Sequence, residues 1–344
     1  MKPYGWLTGA VFCIAATTAS AQEVTLKISH FLPAVSNFQR NVLEPWCDKI
    51  NKASNGRLKC QIYPSMQLGG TPPQLIDQLT NGVADIIWTV PGYAAGRFPT
   101  IDTIGVPYSV PAGGLNGART IWEFYQKYDQ KEFAAYKVLG MWSGGGEVFS
   151  TANKPMLTME DFKNEKLRVA TKSSAEVLKE FGGTPVNLPP SQIAESISKG
   201  VVDGAMSPWE LVPATKIDEV TKYHTEMPHD KMALKLTTLA FLMSRQKYDS
   251  LPADLKKAID DNSGTPLVDA AGKAWDKTID AARKKAIADG HLVKEVSTET
   301  YNAMRKSTAV VEESWVKSYK VDGTDGAKLV SELRAIAEKH KNDK

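Results

Sequence analysis

The sequence predicts an α/β protein of two lobes, each built on parallel β-α-β units. Three observations carry that reading. Between residues 166 and 210 short apolar runs alternate with helical stretches: strand 166–170, helix 172–181, strand 186–188, helix 191–198, strand 201–206. Strands and helices alternating at that spacing imply a parallel sheet. Residues 23–89 repeat the rhythm, and their Gly82-Val83-Ala84-Asp85 recurs as Gly200-Val201-Val202-Asp203. After Pro252, apolar residues recur near helical spacing at Leu255, Ile259, Leu267, Ala271, Trp275, Ile279, Ala282 and Ala286. That run predicts a long helix, broken or kinked at Gly264 and Pro266. A chain of 344 residues is long enough for two sizeable cores.

The first 21 residues read as a targeting segment. Lys2 precedes a mostly apolar run, 6–16, and Ala19-Ser20-Ala21 fits a cleavage site before Gln22. The apolar run is too short to span a membrane. Cys13 lies inside it without the small-residue context of a lipoprotein site. Residues 23–30 alternate, with Val24, Leu26 and Ile28 on one face, and predict a strand. It ends in His30-Phe31, which places both at the space between the lobes; His30 can equally be a hydrogen-bonded core histidine. A helix over 42–53 carries Cys47 and a strand over 58–63 carries Cys60. In an oxidising compartment a bridge would clip helix to strand, adding about 2–3 kcal/mol; the alternative is two buried thiols.

Residues 63–70 form a turn containing Gln67, followed by a helix over 72–79 and a strand over 84–89. Trp88 and Tyr93 leave the end of that strand, although Trp88 can also be an ordinary core aromatic. An irregular Pro- and Gly-rich stretch, 92–108, precedes an amphipathic helix over 115–128 and a strand over 135–142. Gly144-Gly145-Gly146-Glu147 follows. It is no phosphate loop, because no Gly-Lys-Ser/Thr follows and a glutamate would repel the anion.

Arg168 stands inside the short apolar strand 166–170. A guanidinium there is costly unless it meets an anion, either a ligand or an internal Asp or Glu. Gly182-Gly183 stops the next helix. Ser207-Pro208-Trp209-Glu210 opens another at the end of the strand 201–206. Residues 233–243 read as a strand returning to the first lobe, and two late helices are expected over 298–319 and 325–340.

Leu167-Arg168-Val169, Gly182-Gly183-Thr184-Pro185, a proline-started helix, Gly200-Val201-Val202-Asp203-Gly204 and Pro208-Trp209 form an order that resembles a known family. It is similar to the DctP-like substrate-binding proteins of tripartite ATP-independent periplasmic (TRAP) transporters, over roughly residues 24–337. The resemblance implies a two-lobed periplasmic binding protein fold with a long helix bracing both lobes. Residues 22–145 and 234–252 would then form lobe I, 146–233 lobe II, and 253–344 the bracing helix and the C-terminal helices packed on the lobes. It implies a periplasmic protein that captures an organic acid, with the carboxylate on Arg168, for uptake by the TRAP membrane permease subunits. The family often carries a second arginine where this chain has Glu147. Glu147 therefore either accepts a hydrogen bond from a ligand or pairs with Arg168. The expected ligand-binding set is Arg168, Glu147, Trp209, Trp88, Tyr93, His30, Phe31, Gln67, Ser207 and Glu210. Phe31, Trp88, Tyr93 and Trp209 leave room for a ring or apolar tail, so the expected ligand is a monocarboxylate, either an aromatic or a hydroxy or keto acid.

Composition narrows the classes. The formal net charge is +3, and no basic tract precedes the C-terminal tail, so a nucleic-acid partner is not expected. No later apolar run reaches the roughly 18 residues of a transmembrane helix. No His or Cys pair has metal-ligand spacing, and no cofactor is expected. No Gly-x-Ser-x-Gly elbow or His-Glu-x-x-His motif supports a periplasmic enzyme, which stays the weaker alternative. An ATP-binding-cassette-type binding protein for another anionic solute is the closer one.

Overall fold

The computed structural model describes residues 23–321 and 323–343. The expected targeting segment, residues 1–21, lies outside the described residues. The first sheet begins with β1 (Val24–His30), β2 (Leu58–Tyr63), β3 (Ile86–Thr89) and β4 (Tyr136–Ser143). The second contains β5 (Glu147–Thr151), β6 (Lys166–Val169), β7 (Thr184–Asn187), β8 (Gly204–Pro208) and β9 (Tyr223–Glu226). The chain then returns to the first sheet as β10 (Thr238–Ser244) and later adds β11 (Leu292–Glu295) to the second. The orders are β2-β1-β3-β10-β4 and β11-β9-β5-β8-β6-β7.

β1 runs parallel to β2 and β3, and β6 parallel to β7 and β8. These are the expected β-α-β units. The sheets are nevertheless mixed, because β10 pairs antiparallel with β3 and β4 and β5 does so with β8 and β9. The antiparallel strands are the ones that carry the chain between sheets. Gly144–Gly146 joins β4 to β5, and residues 227–237 join β9 to β10. The two crossings touch, Gly144 N donating to the Thr237 carbonyl at 3.1 Å.

The triple glycine owes its composition to this crossing. Gly145 and Gly146 have φ of +94° and +110°, and a Cβ on Gly145 would lie 2.3 Å from Ile279 Cδ1. No other residue fits under the long helix there without strain.

That helix, Thr265–Ala288, follows a shorter one, Ala253–Asp261, and the break falls at Gly264 (φ 67°) before Pro266. It packs on β4 and the helix Leu115–Phe124 on one side and on β11 on the other, so it spans both lobes. Its Asp276 carboxylate accepts from Gly114 N at 2.6 Å and Leu115 N at 2.9 Å, capping a helix remote in sequence. Arg119 adds a two-pronged pair to Asp269, both contacts at 2.8 Å.

The first core is aromatic, with Trp46, Trp88, Trp142, Trp275, Phe38 and Phe241 buried together. The second holds Phe149, Phe162, Phe181 and Met206. Cys47 and Cys60 form a disulfide with Cα atoms 6.0 Å apart, joining the helix Glu44–Ala53 to β2. No helix among the described residues is long and apolar enough to cross a membrane.

Several element boundaries differ from expectation. β8 begins at Gly204 rather than 201, since Val201 is exposed in a turn and Gly204 lies flush on β5, 2.4 Å from the Ser150 carbonyl at its Cβ position. β10 begins at Thr238 rather than 233, because 233–237 is part of the crossing. The helix expected over 298–319 is two, Thr298–Ser307 and Ala309–Ser318, parted at Thr308. β5 and β11 were not anticipated.

Candidate functional site

Arg168 lies on β6, paired with Val186 on β7 and Ala205 on β8, near the carboxyl end of the sheet. It is 1% exposed. Its Nε donates to the Leu188 carbonyl at 3.0 Å. Among the described residues no Asp or Glu forms an ion pair with it. Buried charges are ordinarily paired, so a guanidinium held this way is suited to an outside anion.

The first lobe presents aromatic surface to it. Tyr93 meets the guanidinium, whose charge opposes the burial that raises the Tyr93 pKa. Phe31 contacts Tyr93 edge-on at 5.7 Å and stacks on Trp88 at 4.8 Å with an interplanar angle of 2°. Phe38 stacks on the other face of that assembly, 4.1 Å from Trp88. Trp88 is fully buried and belongs to the core as well as backing Phe31.

The second lobe adds acids and a hydroxyl. Glu147, at the start of β5, faces Pro208 in register, and Val148 faces Ser207. Glu147 Oε1 accepts from Thr237 Oγ1 at 2.7 Å, while Oε2 has no partner. The sequence left Glu147 two roles, and its bond goes to Thr237 and not to Arg168. Ser207 Oγ and Glu210 Oε2 are likewise buried without partners. Burial pushes the Glu210 carboxyl up to about 8, so it is largely protonated at neutral pH.

The other expected residues are placed differently. His30 Nε2 contacts Gln39 Oε1 at 3.0 Å, and burial lowers its pKa to about 4. It sits edge-on to Phe38 at 5.3 Å, as a hydrogen-bonded core histidine would. Trp209 Nε1 donates to Glu226 Oε1 at 2.7 Å, with its ring 4.9 Å from His224. Gln67 is exposed on the turn after β2, and no hydrogen bond brings its side chain to the cluster.

Lys235 is a residue the sequence reading missed. It is 2% exposed, and Nζ donates to Thr171 Oγ1, Ser173 Oγ and Ser174 Oγ at 3.1, 2.9 and 2.8 Å. Burial lowers its pKa, with Glu147 and Asp102 acting in the opposite sense. A lone lysine in the apolar run 233–243 is the same signal that singled out Arg168. Burial also raises Asp102, to about 6, against the pull of Lys235.

Two cavities flank this cluster. The larger, about 440 Å³, is lined by Gly92, Asp102, Thr171, Lys235, Thr237 and Trp315 among others. The smaller, about 200 Å³, is lined by Glu147, Trp209, Glu226 and Ile279 among others. Arg168 lines neither. The Thr237–Glu147 bond joins the wall of the first to the wall of the second, so the cluster lies between them. An unpaired buried charge marks a binding site more strongly than open space does, and the candidate site is centred on Arg168 for that reason.

The family model for bacterial extracellular solute-binding protein, family 7, matches residues 28–319. Among solved structures, the chain is similar to a TRAP solute-binding protein from Rhodoferax ferrireducens T118 in complex with copurified benzoate. The TM-score is 0.88 at 37% identity, covering 92% of this chain and 98% of that one. It is also similar to a marine metagenome TRAP solute-binding protein specific for aromatic acid ligands, in complex with 3-hydroxybenzoate. There the TM-score is 0.89 at 36% identity, covering 94% and 100%. A curated relative, the ectoine-binding periplasmic protein of Halomonas elongata, is 25% identical over 293 residues, 80% of each chain.

Proposed function

Because this chain belongs to the bacterial extracellular solute-binding protein family 7, the substrate-binding proteins of TRAP transporters, we propose that it captures an aromatic monocarboxylate in the periplasm and delivers it to a TRAP membrane permease. In this reading the carboxylate sits on the Arg168 guanidinium, two parallel N–H donors to two oxygens. The ring lies against Phe31 and Tyr93 of the first lobe. The observation that carries it is Arg168 itself, 1% exposed, bonded to a carbonyl and to no carboxylate. Two relatives of 36–37% identity hold benzoate and 3-hydroxybenzoate, which supports an aromatic acid here. TRAP family membership sets aside the ATP-binding-cassette alternative.

Calorimetry on the purified mature protein tests the proposal, with benzoate, hydroxybenzoates and phenylacetate as ligands and benzamide as the control. At least one acid should bind, and its amide should not, since the amide keeps the ring and loses the charge. Equal binding of acid and amide, or no binding by any aromatic acid, would sink it.

A further inference from the structure

Three buried polar atoms near Arg168 have no partner: Glu147 Oε2, Ser207 Oγ and Glu210 Oε2. Their residues are 7%, 0% and 3% exposed. Ser207 lies two residues beyond Ala205, the β8 partner of Arg168, so it stands on the same face of the sheet as the guanidinium, while Glu147 faces Pro208 at the neighbouring end of β5. The carboxyl groups of Glu147 and Glu210 both lie close enough to act on Tyr93, the residue that meets the guanidinium. Buried polar atoms are nearly always satisfied, so three orphans in one place call for something that supplies hydrogen bonds. An unsubstituted aromatic ring supplies none.

We infer that Glu147, Ser207 and Glu210 form a second recognition pole, which selects aromatic acids carrying a hydrogen-bond donor, a hydroxyl or amino group, over the unsubstituted acid. Glu147 is the principal acceptor. Thr237 fixes one of its oxygens and leaves the other for the ligand. Glu147 and Trp209 also line the neighbouring 200 Å³ cavity. Ser207 and a protonated Glu210 can both donate and accept, so the pole can answer the hydrogen and the oxygen of a hydroxyl. The competing account is that ordered water satisfies the three atoms, in which case a ring donor gains nothing.

The inference rests on the aromatic-acid reading, and one titration series separates the two. Ligand-freed protein is titrated with benzoate, 3- and 4-hydroxybenzoate, 3-aminobenzoate and 3-methoxybenzoate. At least one hydroxyl or amino acid should bind about tenfold or more tighter than benzoate, and the methyl ether should lose that gain. Glu147→Gln and Ser207→Ala should each cut the ratio to within about threefold. Should Glu147→Gln not fold, Ser207→Ala carries the test alone. If the wild type binds benzoate and all its derivatives within about threefold, or if the folded variants keep the full ratio, the inference falls while the aromatic-acid reading stands. If nothing in the series binds, both fall.

Discussion

Arg168 was legible in the sequence because a charge inside a four-residue strand violates the apolar pattern around it. Its consequence is testable. Removing one member of a desolvated charge pair costs about 2–5 kcal/mol, so Arg168→Ala should weaken binding by about 30- to 4000-fold. Arg168→Lys keeps the charge but loses the planar fork, and should fall between wild type and alanine. Calorimetry on the folded variants checks the order; affinity unchanged in Arg168→Ala would end the carboxylate assignment. Glu210 yields a second prediction, about pH. Its folded pKa of about 8 lies above the model-peptide value of 4.5. The native state therefore keeps a proton that the unfolded chain releases, and stability from this group falls as pH rises from about 4.5 to 8. Glu210→Gln removes that loss. Relative to wild type, the variant should gain on the order of a few kcal/mol between pH 5 and 7.5, read from urea unfolding at both. A gain that is the same at both pH values would contradict the raised pKa. Lys235, equally a charge in an apolar run, is a second buried cation that the same sequence pattern marks.

Among the elements, those with a local cause were legible and those with a remote cause were not. β1, β2, β6 and the long helix announce themselves through alternation, apolar runs or helical spacing. β5 and β11 are short and pair only with strands distant in the chain, so nothing within them marks the partner. The triple glycine was seen but not explained, because its reason, the helix residue Ile279, lies far along the chain. Gly145→Ala follows from that contact. A Cβ there would sit 2.3 Å from Ile279 Cδ1 at a φ of +94°. The clash and the backbone strain together should destabilise the protein by about 1–3 kcal/mol. Adding Ile279→Ala should recover the steric part and leave the strain, so the double variant should be less destabilised than the sum of the two single ones. Strict additivity in chemical unfolding would refute the contact.

At the scale of the whole molecule, the sequence carried the two-sheet plan but hid how the sheets join, since crossing strands look like any others. The candidate site takes its parts from both sides of that junction. Phe31, Trp88 and Tyr93 come from the end of the first sheet, and Arg168, Ser207 and Glu210 from the second. Two chain crossings, 144–146 and 227–237, and the helix Thr265–Ala288 run between the lobes. A ligand touching both lobes binds the closed arrangement better than an open one, and so shifts the population toward closure. A hinge at glycines with φ near +100° and along an extended crossing can absorb that motion while the long helix limits its range. Small-angle scattering should then show the wild-type protein contracting on addition of a saturating aromatic acid. Arg168→Ala at the same ligand concentration should keep the profile of the free protein, because its affinity for the closed state is lost. A wild-type profile unchanged at calorimetrically verified saturation would mean that the ligand enters a site already closed, and the hinge assignment would have to be abandoned while the carboxylate contact could stand.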